Sequence, residues 1–217
     1  MAILCRKLSL LFLCVPKTGC SAVAEALTSG ADGEWFPPAD VFDTQGNVNI
    51  GRKHATWQQL VQHGLLTSAD VERLTTFATV RNPFDWVVST YFYWRWLSEL
   101  EAPESQLYWV RAFASRMRLA ATGSFSDYVR SVYGETSASV ISRWREPWVQ
   151  VIRFEELQDG VNAVLRSVGV AGGLSLTAVN VAPGRVRDYR GYYDAETIGI
   201  VERAFRDDCQ RYGYAFE

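Results

Sequence analysis

The sequence of 217 residues lacks any apolar run approaching the ~20 residues that a membrane-spanning helix needs. It also lacks a strong charge of one sign, since its formal net charge is −2 at pH 7. That balance argues against nucleic acid and anionic lipid as partners. Repeats, low-complexity tracts and linkers are missing as well. We therefore predict one soluble domain over residues 1–217, in which any anion site is built locally.

Cysteine is scarce, and none of its four positions shows CxxC or metal-ligand spacing: Cys5, Cys14, Cys20 and Cys209. This usage predicts reduced thiols in an intracellular, cytoplasmic protein. The opening "MAILCRKLSLLFLCV" has a basic pair and an apolar run, as a secretory signal does. The run is short, however, and no small-x-small cleavage site follows it. We interpret this opening as a core strand.

Short, continuous apolar runs predict three buried strands, at residues 8–15, 75–80 and 148–154. Helical patterns follow them, at residues 21–28, 56–63, 68–74, 83–100 and 155–168, and a last helix runs from Tyr193. This alternation predicts an α/β fold with a parallel sheet of about four or five strands flanked by helices. Two long segments, residues 29–51 and 170–190, are predicted to be irregular loops.

The segment "PKTGCS", residues 16–21, follows the first predicted strand and opens a helix. Such a turn directs successive backbone N–H groups at one point, and the helix dipole adds partial positive charge. Gly19 permits close backbone approach, Lys17 supplies a full charge, and Thr18 and Ser21 add hydroxyl donors. The pattern predicts an anion site. It differs from the ATP/GTP loop GxxxxGK[ST], because Lys17 precedes the glycine.

The segment "RNPFDWVVSTY", residues 81–91, again has the order strand, polar turn, helix. Its asparagine, proline and aspartate fit helix capping. Capping does not explain Arg81, a cation at the carboxyl end of a buried strand, where α/β sheets bind their ligands. Ser89 lies roughly 9 Å along the helix from Pro83, at about 1.5 Å per residue. We expect Arg81 and Ser89 to hold one phosphate.

Together, the two segments resemble the paired nucleotide signatures of the sulfotransferases that use 3′-phosphoadenylyl sulfate (PAPS). The resemblance continues through "KHATWQQL", "VIRFEEL" and the ending "YYDAETIGIVERAFRDDCQRYGYAF". It is closest to the carbohydrate, Golgi-type branch, as a short bacterial-like member. The resemblance implies a P-loop NTPase-like sulfotransferase fold, PAPS as donor, its desulfated form PAP as product, and no metal. It leaves a carbohydrate or a small hydroxylated molecule open as acceptor.

Carried over residue by residue, the first motif would hold the 5′-phosphosulfate with Lys17, Thr18, Gly19, Cys20 and Ser21. The second motif would hold the 3′-phosphate with Arg81 and Ser89. Cys20 departs from the family pattern, in which threonine is common, so a hydroxyl donor is lost there. Lys17 would neutralise the charge that builds on the leaving oxygen during in-line transfer.

A general base must take the proton of the acceptor hydroxyl. In the resembling branch the position of His54 bears it, and imidazole has a suitable pKa. A structural role at the helix entry is the alternative for His54, and His63 fits a helix C-terminus. If His54 is structural, the acidic residues of the 29–51 loop are the remaining candidates: Glu34, Asp40 and Asp43.

Two other functions stay open: a non-catalytic PAP-binding protein, which Cys20 favours, and a P-loop kinase, which the missing GxxxxGK[ST] disfavours. Arg185, Arg187 and Arg190 are interpreted either as solvated loop charges or as residues that close over the nucleotide. The aromatic run "WVVSTYFYWRWL" is either core or the lining of an acceptor pocket.

Overall fold

A computed structural model describes residues 2–45, 48–51, 53–100, 108–177 and 182–217. The chain divides into two compact units. The first unit is formed by Met1–Val80 and Ile141–Asn180, and the second by Arg81–Val140 and Val181–Glu217. That residues 1–217 make up one sulfotransferase domain stays a prediction.

The strands are β1 (Ala2–Cys5), β2 (Leu10–Leu13), β3 (Glu34–Phe36), β4 (Val41–Phe42), β5 (Val48–Ile50), β6 (Thr75–Val80) and β7 (Gln150–Arg153). Five of them form the sheet of the first unit, in the order β3-β1-β2-β6-β7, and β4 and β5 form a separate antiparallel pair. Strands β2, β6 and β7 run parallel. The α/β class with a mostly parallel sheet is therefore confirmed.

The helices are α1 (Cys20–Gly30), α2 (Trp57–Gln62), α3 (Asp70–Arg73), α4 (Pro83–Leu100), α5 (Tyr108–Thr122), α6 (Phe125–Tyr133), α7 (Leu157–Ser167), α8 (Ala195–Ala204) and α9 (Arg206–Tyr212). Each predicted helix up to residue 168 is present, with bounds shifted by a few residues. Among the described residues, none of the helices combines the length and the apolar character required to cross a lipid bilayer.

The prediction of an entirely parallel sheet was wrong. The N-terminal apolar stretch folds as a hairpin in which β1 lies antiparallel to both β2 and β3. A 3₁₀ turn at Arg6–Leu8 separates the two strands, so the strand predicted at residues 8–15 corresponds to β2, and β1 is an additional strand. Since every residue of β1 and β2 is buried, the apolar pattern shows no alternation that would mark the reversal.

One face of the sheet is covered by α1 and α7. Side chains of both helices pack with those that the strands direct to this face, in one core that includes Ile3, Phe12, Val23, Phe77, Ile152, Val161 and Leu165. The rings of Phe12 on β2 and Phe77 on β6 stack with their centroids 4.7 Å apart. This packing fixes α1, and with it the turn that precedes α1, against the carboxyl end of β2.

In the second unit, α4 packs against α5, α6 and α8. The aromatic run of α4 contributes to this core: Tyr91 is 3% exposed, and its ring contacts Phe125 and Tyr128 at centroid distances of 5.5 and 5.3 Å. The core interpretation is thus confirmed for Tyr91. The predicted last helix is two helices, α8 and α9, that meet at Phe205.

The two predicted loops differ in outcome. Residues 29–51 are not irregular throughout, because they contain β3, β4 and β5. In residues 170–190, the described part has no helix or strand before the 3₁₀ turn at Arg190–Tyr192, which agrees with the prediction. Residues 178–181 of that loop lie outside the described part of the chain.

Candidate active site

The turn after β2 has the backbone that an anion-binding loop requires. Lys17 and Gly19 both adopt left-handed conformations, with φ of 62° and 80°, and α1 begins directly afterwards at Cys20. The first N–H groups of a helix have no acceptor within the helix. In this turn they belong to Cys20 and to Ser21, which is half-buried. The predicted strand, turn and helix are therefore all present.

Thr18 has a different role from the one expected for its hydroxyl. Its side chain is fully buried, and Oγ1 donates to the carbonyl oxygen of Val15 at 2.9 Å. The same Oγ1 lies 2.5 Å from Oγ1 of Thr79 on β6. The hydroxyl therefore fastens the turn to the neighbouring strand, and only the backbone N–H of Thr18 is left for an anion.

Gly19 is required by conformation and by packing. Its φ of 80° disfavours any residue with a Cβ, and an added Cβ would lie 2.6 Å from Cδ2 of Leu157 and 3.1 Å from the ring of Phe154. We expect Gly19→Ala to lower the free energy of unfolding by about 2–4 kcal/mol, the sum of φ strain and overpacking. Urea denaturation measures the loss.

Gly64 is the matched control, because its φ is 66° but nothing lies within 4 Å of its added Cβ. Gly64→Ala should lose only the strain, about 1 kcal/mol. Equal losses in the two variants would show that the turn moves away from Phe154 and Leu157 at no cost, contrary to the packing argument.

His54 stands at the same end of β2 as this turn. Its Nδ1 lies 2.8 Å from the carbonyl oxygen of Cys14, the residue directly after the strand. A carbonyl oxygen can only accept a hydrogen bond, so Nδ1 holds the proton and Nε2 holds the lone pair. The left-handed backbone of His54, with φ of 72°, accompanies this orientation. The ring is thus set in the tautomer that a general base at Nε2 needs.

Burial of the ring lowers the pKa of His54 to about 4. The hydrogen bond to Cys14 raises that pKa, and the positive charges of Lys53 and Lys17 lower it further. The imidazole is therefore neutral throughout the physiological range. Lys17 and His54 are 37 positions apart in the sequence (54 − 17), yet in the folded first unit the charge of Lys17 lowers the pKa of His54.

Of the alternative bases, Glu34 is disfavoured by position. Its carboxylate pairs with Nε of Arg6 at 2.5 Å, in the turn between β1 and β2. That turn lies at the amino end of β2, whereas the "PKTG" turn follows its carboxyl end. Asp43 accepts from the backbone N–H of Gln45 at 2.8 Å within the β4–β5 segment. These contacts favour His54 over Glu34 and leave Asp40 and Asp43 as candidates.

In the second unit, Arg81 belongs to a buried charge cluster. Its Nε and Nη2 lie 2.7 and 2.5 Å from Oδ2 of Asp85, and Oδ1 of the same carboxylate accepts from Nη2 of Arg185. The side chains of Arg81, Asp85 and Arg185 are 7, 14 and 13% exposed. Asp85 thus orients two arginines.

Ser89 lies one helical turn after Asp85, on the same face of α4, and it is 5% exposed. Among the ion pairs of the described residues, one carboxylate lies between two guanidinium groups, which is an excess of one positive charge. Arg81, Ser89 and Arg185 together therefore present donors and positive charge suited to an anion. The cap of α4 is Asn82, whose Oδ1 accepts from the N–H of Phe84 at 3.0 Å.

Comparison of the sequence with models of known protein families identifies the family to which the chain belongs. A family model described as "Sulfotransferase family" matches residues 1–128, which is more than half of the chain. The chain belongs to the sulfotransferase family. The family is the carbohydrate, Golgi-type one that the motifs predicted, so the resemblance is confirmed. Neither the search of curated proteins nor that of solved structures gave a significant match.

Every site residue predicted for this sulfotransferase lies within the matched part, from Lys17 to Ser89. Two basic residues were left out of the predicted site. Arg185 was interpreted either as a solvated loop charge or as a residue that closes over the nucleotide, and its side chain is buried against Asp85. Lys53 was not considered, although it adjoins His54. The one available signal was the "KH" pair itself, a cation next to the candidate base.

Proposed function

We propose that the protein transfers a sulfuryl group from PAPS to the hydroxyl of a carbohydrate or small-molecule acceptor. The observation that carries this proposal lies at the carboxyl end of β2. There, Lys17 and the N-terminus of α1 lie beside His54, whose Nδ1 holds the proton and whose Nε2 is free to accept one. Membership in the sulfotransferase family supports it. The parallel pair β2–β6, with a glycine turn into α1, supports a P-loop NTPase-like arrangement.

In the proposed reaction the acceptor oxygen attacks sulfur in line, and the bond between sulfur and the bridging oxygen of the donor breaks. PAP leaves with that electron pair, and the ammonium of Lys17 neutralises the charge that develops on the bridging oxygen. Nε2 of His54 accepts the proton of the acceptor hydroxyl. The N–H groups of residues 18–21 hold the 5′-phosphate of the donor.

The 3′-phosphate of the donor is assigned to Arg81 and Ser89, with Arg185 as a third ligand. Support comes from the cluster itself, because Asp85 holds both guanidinium groups in place before any ligand binds. Fixed donors of this kind lose less conformational entropy on binding than mobile surface arginines do. The non-catalytic PAP-binding alternative shares this site but needs no base, so the tautomer of His54 favours the enzyme.

We expect PAP at 100 times its Kd to raise Tm by roughly 5–10 °C, because about 2.7 kcal/mol of stabilisation corresponds to that shift in a chain of this size. AMP, which lacks the 3′-phosphate, and ATP should give much smaller shifts. Arg81→Ala and Ser89→Ala should lose most of the difference between PAP and AMP. Thermal denaturation of each variant, with and without nucleotide, makes the comparison.

Arg73→Ala is the matched control for Arg81→Ala. Like Arg81, Arg73 pairs with an aspartate close to it in sequence, Asp70, but its side chain is 69% exposed. Its variant should keep the full response to PAP. Equal stabilisation of the wild type by PAP and AMP would contradict the assignment of a 3′-phosphate site.

An acceptor screen tests the reaction itself. Wild-type protein is incubated with radiolabelled PAPS and a panel of hydroxylated sugars, glycolipids and small metabolites, and labelled product is separated from donor. Transfer to one class identifies the acceptor. PAP binding without transfer to any acceptor, and without PAP release, would favour the non-catalytic alternative. In a parallel incubation with radiolabelled ATP in place of PAPS, transfer of labelled phosphate to an acceptor would favour the kinase alternative.

A further inference from the structure

Arg185 belongs to an exposed loop, although its own side chain is buried. Residues 183–188 are exposed apart from Arg185, whose side chain is 13% exposed and pairs with Asp85. Within the described ranges, Nε of Arg185 is buried and has no hydrogen-bond partner. Buried donors in folded proteins almost always have a partner, which can be a ligand. Arg185 therefore has one buried donor left for a ligand.

Tyr192 fastens this loop to the helices. Its hydroxyl oxygen accepts a hydrogen bond of 2.8 Å from the N–H of Val186, which belongs to the peptide bond directly after Arg185. The ring of Tyr192 contacts those of Phe92 on α4 and Phe125 on α6, at centroid distances of 5.2 and 5.9 Å. The side chain of Val186 adds little packing, because this residue is 62% exposed. The hydrogen bond thus links the backbone beside Arg185 to the core between α4 and α6.

We propose that Tyr192 is a positioning residue for the 3′-phosphate site, which acts by holding the guanidinium of Arg185 in place. This inference rests on the proposed function, in which Arg185 is a ligand of that phosphate. Gly184 precedes Arg185, and a glycine gives the backbone more conformational freedom than other residues do. The contact of Tyr192 lies on the other side of Arg185 and restricts that freedom. A guanidinium that is already ordered loses less conformational entropy when the phosphate binds.

The test uses Tyr192→Phe, which removes the hydroxyl and keeps the ring. Tyr91→Phe is the matched control, because the ring of Tyr91 contacts the same two rings, those of Phe92 and Phe125. The hydroxyl of Tyr91 also bonds to the backbone, but at the carbonyl oxygen of Gly123, 3.0 Å away. Both variants therefore lose one hydroxyl from the same aromatic cluster, and only Tyr192→Phe loses a contact with the Arg185 loop.

Three quantities are measured in each protein: the hydrogen-exchange rate of the Val186 amide, Tm without nucleotide, and the Kd values of PAP and AMP by calorimetry. The ratio of the two Kd values isolates the contribution of the 3′-phosphate, because the two nucleotides differ only in that group. Arg185→Gln and the double variant with Tyr192→Phe complete a double-mutant cycle on this ratio.

We expect Tyr192→Phe to speed the exchange of the Val186 amide and to lower the preference for PAP over AMP by about threefold to tenfold, as for the loss of one hydrogen bond. Arg185→Gln should lower this preference by about tenfold to a hundredfold, because it removes a charged donor. Adding Tyr192→Phe to Arg185→Gln should cause no further loss, since Tyr192 acts through Arg185. Tyr91→Phe should keep the preference of the wild type, even if its Tm falls.

If the wild type and Tyr192→Phe prefer PAP equally, the proposed function stands and this inference fails. A lower Tm with that preference intact would assign Tyr192 a purely structural role. Additive losses in the double variant would show that Tyr192 does not act through Arg185, and an unchanged exchange rate would show that Val186 is not held by the hydroxyl. Equal affinities of the wild type for PAP and AMP would contradict the 3′-phosphate site, and this inference with it.

Discussion

Replacing His54 by alanine should lower kcat by roughly 10²–10⁴-fold, the usual loss when a general base is removed. PAP should still raise Tm as it does in the wild type, because the ring contacts no phosphate in the proposed mechanism. Both measurements use the same purified variant, with the acceptor identified by the radiolabel screen. A well-folded His54→Ala protein with near-normal turnover would move the base to Asp40 or Asp43.

The pH dependence distinguishes a base from a structural histidine. The pKa of His54 lies at about 4 in the free protein, below its usual 6.5, so the base form is present above that value and is lost as pH falls through it. The acidic limb of kcat/KM for the donor should therefore lie near pH 4. His54→Ala should remove this limb. A limb that survives in the variant would assign it to another group.

Bound donor should move that limb. The negative charges of PAPS offset those of Lys17 and Lys53, and a nearby negative charge raises the pKa of an imidazole. The limb of kcat, which reports the bound complex, should then lie at higher pH than the limb of kcat/KM. This shift also makes His54 a stronger base when the donor is present. Circular dichroism at each pH confirms that the protein remains folded.

Replacing Lys17 by alanine should lower kcat by on the order of 10²–10³-fold and weaken PAP binding much less. The reason is that charge on the bridging oxygen develops only in the transition state, so the contact is strongest there. Lysine and alanine both carry a Cβ, so the left-handed backbone at position 17 strains both residues to a similar extent. Single-turnover kinetics and PAP melting curves separate the two effects.

Lys17→Arg tests geometry with the charge retained, because a planar guanidinium replaces a compact ammonium. We expect partial activity, between that of the wild type and that of Lys17→Ala. A Lys17→Ala protein with normal kcat and only weaker binding of PAPS would reduce Lys17 to a phosphate ligand.

Local features of the fold were predictable because their causes lie within a few residues. The continuous apolar run of β6 gave its bounds, Thr75–Val80, and the proline and polar turn before α4 gave its start at Pro83. Asp194 forms a capping box with Thr197 at the start of α8, and Gly213 ends α9 with φ of 65°, so both ends are set by residues next to the helices. The "PKTGCS" turn belongs to the same class, since its glycine and its position after a strand are local properties.

Other features depend on the strand order, which no single segment contains. The reversal between β1 and β2 is one, because two buried strands give the same apolar pattern whichever way they run. The break between α8 and α9 at Phe205 was missed for a different reason: Phe205 is apolar and continues the helical spacing of the segment. The strands at residues 34–50 were missed because they are short and half-exposed.

For the site, the sequence by itself determined which residue types are present: a lysine in a glycine turn, an arginine and a serine after a second strand, and a histidine before a helix. Only the tertiary structure decided what they do. The hydroxyl of Thr18 turned to Thr79, 61 positions away; the ring of His54 was fixed by Cys14, 40 positions away; and Arg185 joined Asp85 across 100 positions. Hydrogen-bond direction and charge burial are set by partners that folding brings together, and sequence spacing does not record them.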